Sequence, residues 1–530
     1  GPPRRLPPTA RRYESLRLPA DVRRKLVLLR LLLAAPPPAD PARATELSRL
    51  AAGLEADYGR GTYCRPRPGG PASEQECRQL PDLEEVLLRS TDPAELLDAW
   101  QGWHAVGAPL RDRYARFGPP ANDGARGLGF ADAAAMWRSS YGMPPAELER
   151  EVDRLWEQLK PLYVQLHAFV RARLAARYGP GVVRPDGMIP AHLLGNMWAQ
   201  EWGHVYEVVA PPGIPASADV TALLAARNVD PVAMVRYGER FYTSLGFPPL
   251  PETFWQRSMF TKPRDRDVVC HASAWDVDNR DDLRIKMCIR VNGEDFVTIH
   301  HELGHNFYQR AYAGQPFLFQ AGANDGFHEA VGDAIALSIT PEYLQQVGLL
   351  DTLPGAASDT AELLRVALDK IAFLPFAVAL DRWRWGVFSG AIPPEGYNAA
   401  WWDLKHRYQG VVEPLPRSER DFDPGAKYHV AANVPYIRYF IARILQFQFH
   451  RAWCRSAGWT GPLYRCSVYA NAAAGEQVRR MLAAGASRPW QDILFAATGE
   501  RRMDASAMVE YFQPLLAWLE RQNQGAPVGW

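Results

Sequence analysis

The sequence predicts a mainly α-helical protein with one small antiparallel β-hairpin. Two observations carry this. Leu148, Val152, Leu155, Leu159, Leu162 and Leu166 recur at alternating steps of four and three, the period of one helix face, and Pro161 does not interrupt them. Strand signals are few. The clearest are 268–275 and 284–291, β-branched and aromatic runs that flank an Asp- and Asn-rich turn at 276–282.

Helical patterning also covers 48–58, 361–387, 433–453 and 505–522. The first of these runs into a Gly/Pro loop around 64–71, and Pro36, Pro37 and Pro38 break the helical stretch before it. Residues 1–12, rich in Pro and Arg, read as disordered. No internal repeat is visible, and Pro-rich segments such as 247–251 read as helix connections rather than linkers. Residues 1–530 are therefore expected to form a single domain.

Composition excludes several functions. Hydrophobic residues make up 47% and charged residues 22%, which is ordinary for a folded protein. The 60 basic and 59 acidic residues leave a net charge of +1, with no pull toward nucleic acid or an acidic membrane. Of the basic residues 53 are Arg, which with abundant Ala and Pro suggests a GC-rich, bacterial source. The longest apolar run, 26–35, is too short to span a bilayer and contains Arg30. There is no signal peptide and no starting Met, so a mature or trimmed chain is expected. No Asn-x-Ser/Thr acceptor occurs. No interface is legible, and the oligomeric state is left open.

The six cysteines fall as near pairs: Cys64 with Cys77, Cys270 with Cys288, Cys454 with Cys466. Six cysteines allow 15 connectivities, and close spacing also suits a metal or buried thiols. An even count in three local loops reads better as disulfides, which points to a secreted or periplasmic, extracytoplasmic location.

The chemistry is concentrated between 300 and 338. His301-Glu302-Leu303-Gly304-His305 is an H-E-x-x-H. Four residues apart on a helix, two imidazoles share one face and can share one ion, with the glutamate beside the open coordination position. Glu329, 24 residues after His305, suits a third ligand offered by a returning helix. Three protein ligands and one open position is the pattern of a catalytic zinc. Asp333, one turn after Glu329, is placed to accept the second N–H of a ligand histidine. His300 and His328 are rivals for ligation, but each adjoins a stronger candidate and points about 100° away from it.

These and other runs resemble the angiotensin-converting enzyme family. They are 271–275 (His-Ala-Ser-Ala-Trp), 300–305, 322–330, 421–427 (Asp-Phe-Asp-Pro-Gly-Ala-Lys), 434–439 (Val-Pro-Tyr-Ile-Arg-Tyr) and 196–200 (Asn-Met-Trp-Ala-Gln), with the spacing of the cysteine pairs. The resemblance extends over roughly 45–530.

It implies an ellipsoidal helical metallopeptidase with a deep central cleft and the hairpin near the zinc, removing C-terminal dipeptides from small peptides. It assigns one zinc to His301, His305 and Glu329, and general-base catalysis to Glu302. It gives stabilisation of the tetrahedral intermediate to His429 and Tyr439, and peptide contacts to His271 and to the main chain of Ala272. Gln200, Lys427 and Tyr436 match the residues that hold the substrate's terminal carboxylate. A carboxypeptidase branch that removes one residue has Arg at the position of Gln200. Single-residue release, a thermolysin-like endopeptidase and an inactive peptide-binding homologue are the competing readings.

The chain also departs from the family. Where vertebrate members bind a first chloride with two arginines, this sequence has His104 and Lys405, after Trp401 and Trp402, which puts that site in question. Tyr141 and Arg438 match the second chloride site, but Asp325 replaces a proline there and could substitute for the anion. About 63 residues precede Cys64, so the lid helices over the cleft are expected to be short or missing.

Overall fold

Local signals start the two helices at the centre of the site. The computed structural model describes residues 13, 15–66, 75–213, 218–266, 268 and 270–530, so the expected disorder of 1–12 lies outside them. The helices used below are α1 (Pro41–Gly59), α2 (Pro145–Tyr178), α3 (Gly293–Tyr312), α4 (Asp325–Ala336), α5 (Asp359–Ser389), α6 (Tyr397–Gln409), α7 (Ile437–Ser456) and α8 (Ser506–Gln522). The 148–166 periodicity lies on α2, where all six apolar residues are buried and Pro161 is accommodated inside the helix. The stretches expected at 48–58, 361–387 and 505–522 correspond to α1, α5 and α8. The stretch expected at 433–453 starts four residues late: 433–436 is a loop, with Asn433 in the left-handed region at φ 55°.

Side-chain caps fix the two central helices. Asn292 accepts from the Asp295 N–H at 2.7 Å to start α3, and Asn324 accepts from the Gly326 N–H at 2.9 Å to start α4. These helices then cross at glycines. A Cβ on Gly304 would lie 2.7 Å from the Gly332 Cα, and one on Gly332 would lie 2.6 Å from the His301 carbonyl oxygen. No side chain fits there, so α3 and α4 meet backbone to backbone. α4 packs on its other side against α7.

Six short strands form three two-stranded sheets among the described residues: β1 (Tyr63–Pro66) with β2 (Gln75–Arg78), β3 (Ile189–Pro190) with β6 (Val411–Val412), and β4 (Ser273–Asp276) with β5 (Leu283–Lys286). The β3–β6 pair is parallel and joins segments over 200 residues apart, which no local pattern announces. The expected hairpin is β4–β5, but it is shorter than 268–275 with 284–291. Pairing stops at Ser273 and Lys286, because the second arm turns to another partner. The N–H groups of Met287 and Ile289 donate to the carbonyls of Met259 and Phe260 at 2.8 and 2.9 Å.

All six cysteines are paired as expected, Cys64–Cys77, Cys270–Cys288 and Cys454–Cys466. Among the described residues no helix is long and apolar enough to cross a membrane.

Candidate metal centre and peptide anchor

The glycine crossing of α3 and α4 places Glu329 beside the two histidines of α3. Glu329 Oε2 lies 3.5 Å from His301 Nε2 and 3.9 Å from His305 Nε2. The ligand-capable atoms of the three residues all lie within 4.8 Å of one another. Tetrahedral zinc with bonds of about 2.0–2.1 Å needs donor atoms about 3.3 Å apart, and the two carboxylate-to-imidazole distances lie near that value. The other cluster of this kind among the described residues, His450 with Cys454 and Cys466, is closed as a disulfide.

Neighbouring groups orient each ligand. Asp333 Oδ1 lies 3.1 Å from His301 Nδ1, leaving Nε2 toward Glu329. Asp333 is itself held by Arg443 of α7 and, at 3.8 Å, by Lys370 of α5. Burial works against a charge on His301, but its hydrogen bonds to Asp333 and Glu329 prevail and raise its pKa to about 10 in the absence of an ion. Burial also works against the Glu329 carboxylate, yet the His301 hydrogen bond and the His305 ring bring it down to about 2. An anionic Glu329 and a neutral His305, pushed down to about 4 mainly by burial, are the ligand forms zinc takes.

His328 lies outside this cluster and supports one of its members. Its Nδ1 lies 3.1 Å from His305 Nδ1, and its Nε2 lies 3.1 Å from the Tyr312 hydroxyl. The sequence reading set His328 aside, and its position directly before Glu329 was the signal available.

Glu302 is buried between the ligand histidines, and burial raises its pKa. His271 and Glu302 interact electrostatically. His271 Nδ1 is engaged with the Ala272 carbonyl at 2.8 Å, and Ala272 directly precedes β4 rather than lying within it.

A second constellation assembles from three distant segments. Gln200 Oε1 accepts from Lys427 Nζ at 2.5 Å and from the Tyr436 hydroxyl at 3.4 Å. The backbone supporting it is tightly built. Asn196 Oδ1 accepts from the N–H groups of Trp198 and Gln200, with Ala199 between them in the left-handed region at φ 53°. Buried Lys405 donates to the Trp198 carbonyl at 2.7 Å. On the other side Asp381 accepts from the N–H groups of Tyr436 and Ile437 at 2.9 and 2.6 Å, capping α7 from α5. Arg384 binds the Val434 carbonyl and Asn433. Sequence reasoning missed Lys405 as a loop support, and missed Asp381, Arg384, Lys370 and Arg443 entirely, because their partners are set by tertiary packing.

Rings connect this anchor to the metal site. Tyr436 lies 4.8 Å from His429 between centroids, and His429 Nε2 lies 3.4 Å from the Tyr439 hydroxyl. Burial, Lys427, Arg384 and Arg438 push the His429 pKa down to about 2, so its ring is a neutral hydrogen-bonding group. Glu329 and Tyr439 interact electrostatically.

At the positions that match the family's chloride sites, the charges differ from paired arginines. Burial pushes His104 down to about 4, and its Nδ1 is engaged with the Trp100 carbonyl at 2.9 Å. Lys405 lies over the rings of Phe376, Trp401 and Trp402. Arg438 Nη2 pairs with Asp325 Oδ2 at 3.3 Å, and the Tyr141 hydroxyl beside them has no hydrogen-bond partner among the described residues.

A helical frame that presents an H-E-x-x-H and closes it with a glutamate from the next helix belongs to the zinc-binding proteins of that class. More narrowly, the chain belongs to the peptidase M2 family, that of angiotensin-converting enzyme, whose profile matches residues 5–530. It is 45% identical to the angiotensin-converting enzyme of Mesocricetus auratus over 495 residues and 47% identical to that of Sus scrofa over 498 residues. Each comparison covers 92% of this chain and 37% of the relative, so the chain spans just over a third of these relatives' length. It is 43% identical to the angiotensin-converting enzyme of Theromyzon tessulatum over 91% of this chain and 78% of that one.

Proposed function

We propose that this protein is a zinc peptidyl-dipeptidase acting on small peptides with a free C-terminus. The observation that carries the reading is the convergence of Gln200, Lys427 and Tyr436, linked through His429 and Tyr439 to the His301–His305–Glu329 centre. A carboxylate anchor at a fixed remove from a hydrolytic centre determines how many residues leave. Gln200 rather than Arg at the anchor favours two.

His301, His305 and Glu329 would hold the zinc ion, which when bound would supply Lewis-acid activation. Glu302 takes the proton of the attacking water and passes it to the leaving amine. His429 and Tyr439 donate to the developing oxyanion. Lys427, Gln200 and Tyr436 hold the terminal carboxylate. His271 and the main chain of Ala272 align the peptide beside β4. The chain forms one peptidase unit. Three disulfides support an extracytoplasmic location, and the arginine-rich composition supports a bacterial source. Mass spectrometry of the products from a hexapeptide is expected to show the tetrapeptide and the dipeptide. Release of a single residue would instead move the enzyme to the carboxypeptidase branch.

Activity is also expected to depend little on chloride. Asp325 supplies a tethered carboxylate to Arg438, which costs less entropy to place than a dissolved anion. Lys405 already spends its ammonium on the Trp198 carbonyl. Rates in chloride and in acetate at equal ionic strength should agree within about twofold, well below the tenfold that 1.4 kcal/mol represents. A tenfold rise on adding chloride would show a working anion site. Asp325→Asn should introduce chloride dependence.

A further inference from the structure

The carboxylate anchor is unusually rich in acid. Glu201 directly follows Gln200, and its Oε1 lies 3.4 Å from both Gln200 Nε2 and Asn196 Nδ2. The next residue fixes where it lies: the Trp202 N–H donates to the Leu368 carbonyl of α5 at 2.7 Å, which brings Glu201 alongside Asp369. Glu201 interacts electrostatically with Asp369, Arg443 and Lys427, and Glu84 with Lys427, Glu201 and His204.

The charges around the anchor do not balance once a peptide docks. Lys370 pairs with Asp369 at 3.0 Å, and Arg443 pairs with Asp333 while reaching Asp369 at 3.7 Å. Those two cations are matched by those two acids. Lys427 is left to face Glu201 and Glu84. A bound peptide adds its terminal carboxylate, so one ammonium then faces three carboxyl groups, and burial already works against the charge of Glu201 and Glu84. A cation carried by the peptide's own last side chain restores the balance. Both flanking acids are open to the surroundings, Glu84 being exposed and the Asp369 side chain 38% exposed.

We propose that Glu201, flanked by Glu84 and Asp369, makes the pocket for the substrate's last side chain cation-selective, so that dipeptides ending in Arg or Lys are released in preference to others. This rests on the dipeptidase reading above. Burial pushes the Glu201 carboxyl upward, which a bound cation would reverse.

The test uses hexapeptides identical except for a last residue of Arg, Lys, Leu or Glu, with products identified by mass spectrometry. Arg and Lys are expected to exceed Leu in kcat/KM by about tenfold or more, and Glu to be the slowest. Glu201→Gln should raise KM for the Arg peptide and lower it for the Leu peptide, since one competing anion is gone. A merely structural role would move both the same way. Dipeptides released from all four peptides at equal kcat/KM would overturn the pocket's selectivity while leaving the dipeptidase reading intact. Absence of dipeptide from every peptide would overturn that reading and this inference with it. The wild-type series decides the matter even if the variant folds poorly.

Discussion

Glu302→Ala is expected to keep one zinc per chain and to lose about 10²–10⁴-fold in kcat, the range that general-base catalysis contributes. The ligands His301, His305 and Glu329 remain, and so do the supports that orient them, Asp333 for His301 and His328 for His305. What is removed is the carboxylate that accepts the water's proton. Metal content by atomic absorption on the purified variant, together with turnover of a free-ended hexapeptide, checks both halves. Stoichiometric loss of zinc would mean that Glu302 holds the metal site together, and retained turnover would mean that another group is the base.

Amidating the substrate's C-terminus is expected to reduce kcat/KM about 10- to 150-fold, from the loss of a charge-assisted contact of about 1.5–3 kcal/mol. Lys427 lies 3.6 Å from the Trp198 ring centroid and donates to Gln200, and burial works against its charge when no anion is near. The peptide carboxylate supplies that anion. In Lys427→Ala the free and amidated peptides should differ much less, which a double-mutant cycle reads directly. Equal rates on both peptides with the wild-type enzyme would remove the anchor assignment.

The helical framework was largely legible, because periodicity and caps are local. Leu148 to Leu166 spell out the buried face of α2, and Asn292 and Asn324 mark the starts of the two helices that carry the metal ligands. The hairpin was placed correctly but drawn too long. The arm after Lys286 is as strand-like as the rest, and only the position of Met259 and Phe260 shows that it pairs elsewhere. The start of α7 was set four residues early although Pro435 marks the boundary, since proline disfavours helix at the residue before it and Asn433 lies in the left-handed region. The chain instead bends there so that Asp381 can cap the next turn.

By itself the sequence singled out His301, His305 and Glu329, which the fold brings together. Two histidines four apart must share a helix face, and the surrounding motifs place the chain in its family. Tertiary structure decided what each group is next to. Arg443 and Lys370 hold Asp333, His328 supports His305, and Asp325 answers Arg438. Trp202 donates to the Leu368 carbonyl, and Glu201 interacts electrostatically with Asp369. Each of these pairs joins segments from different elements, and an electrostatic or hydrogen-bonded contact depends on distance in space. Spacing along the chain reports that distance only within a single helix or hairpin.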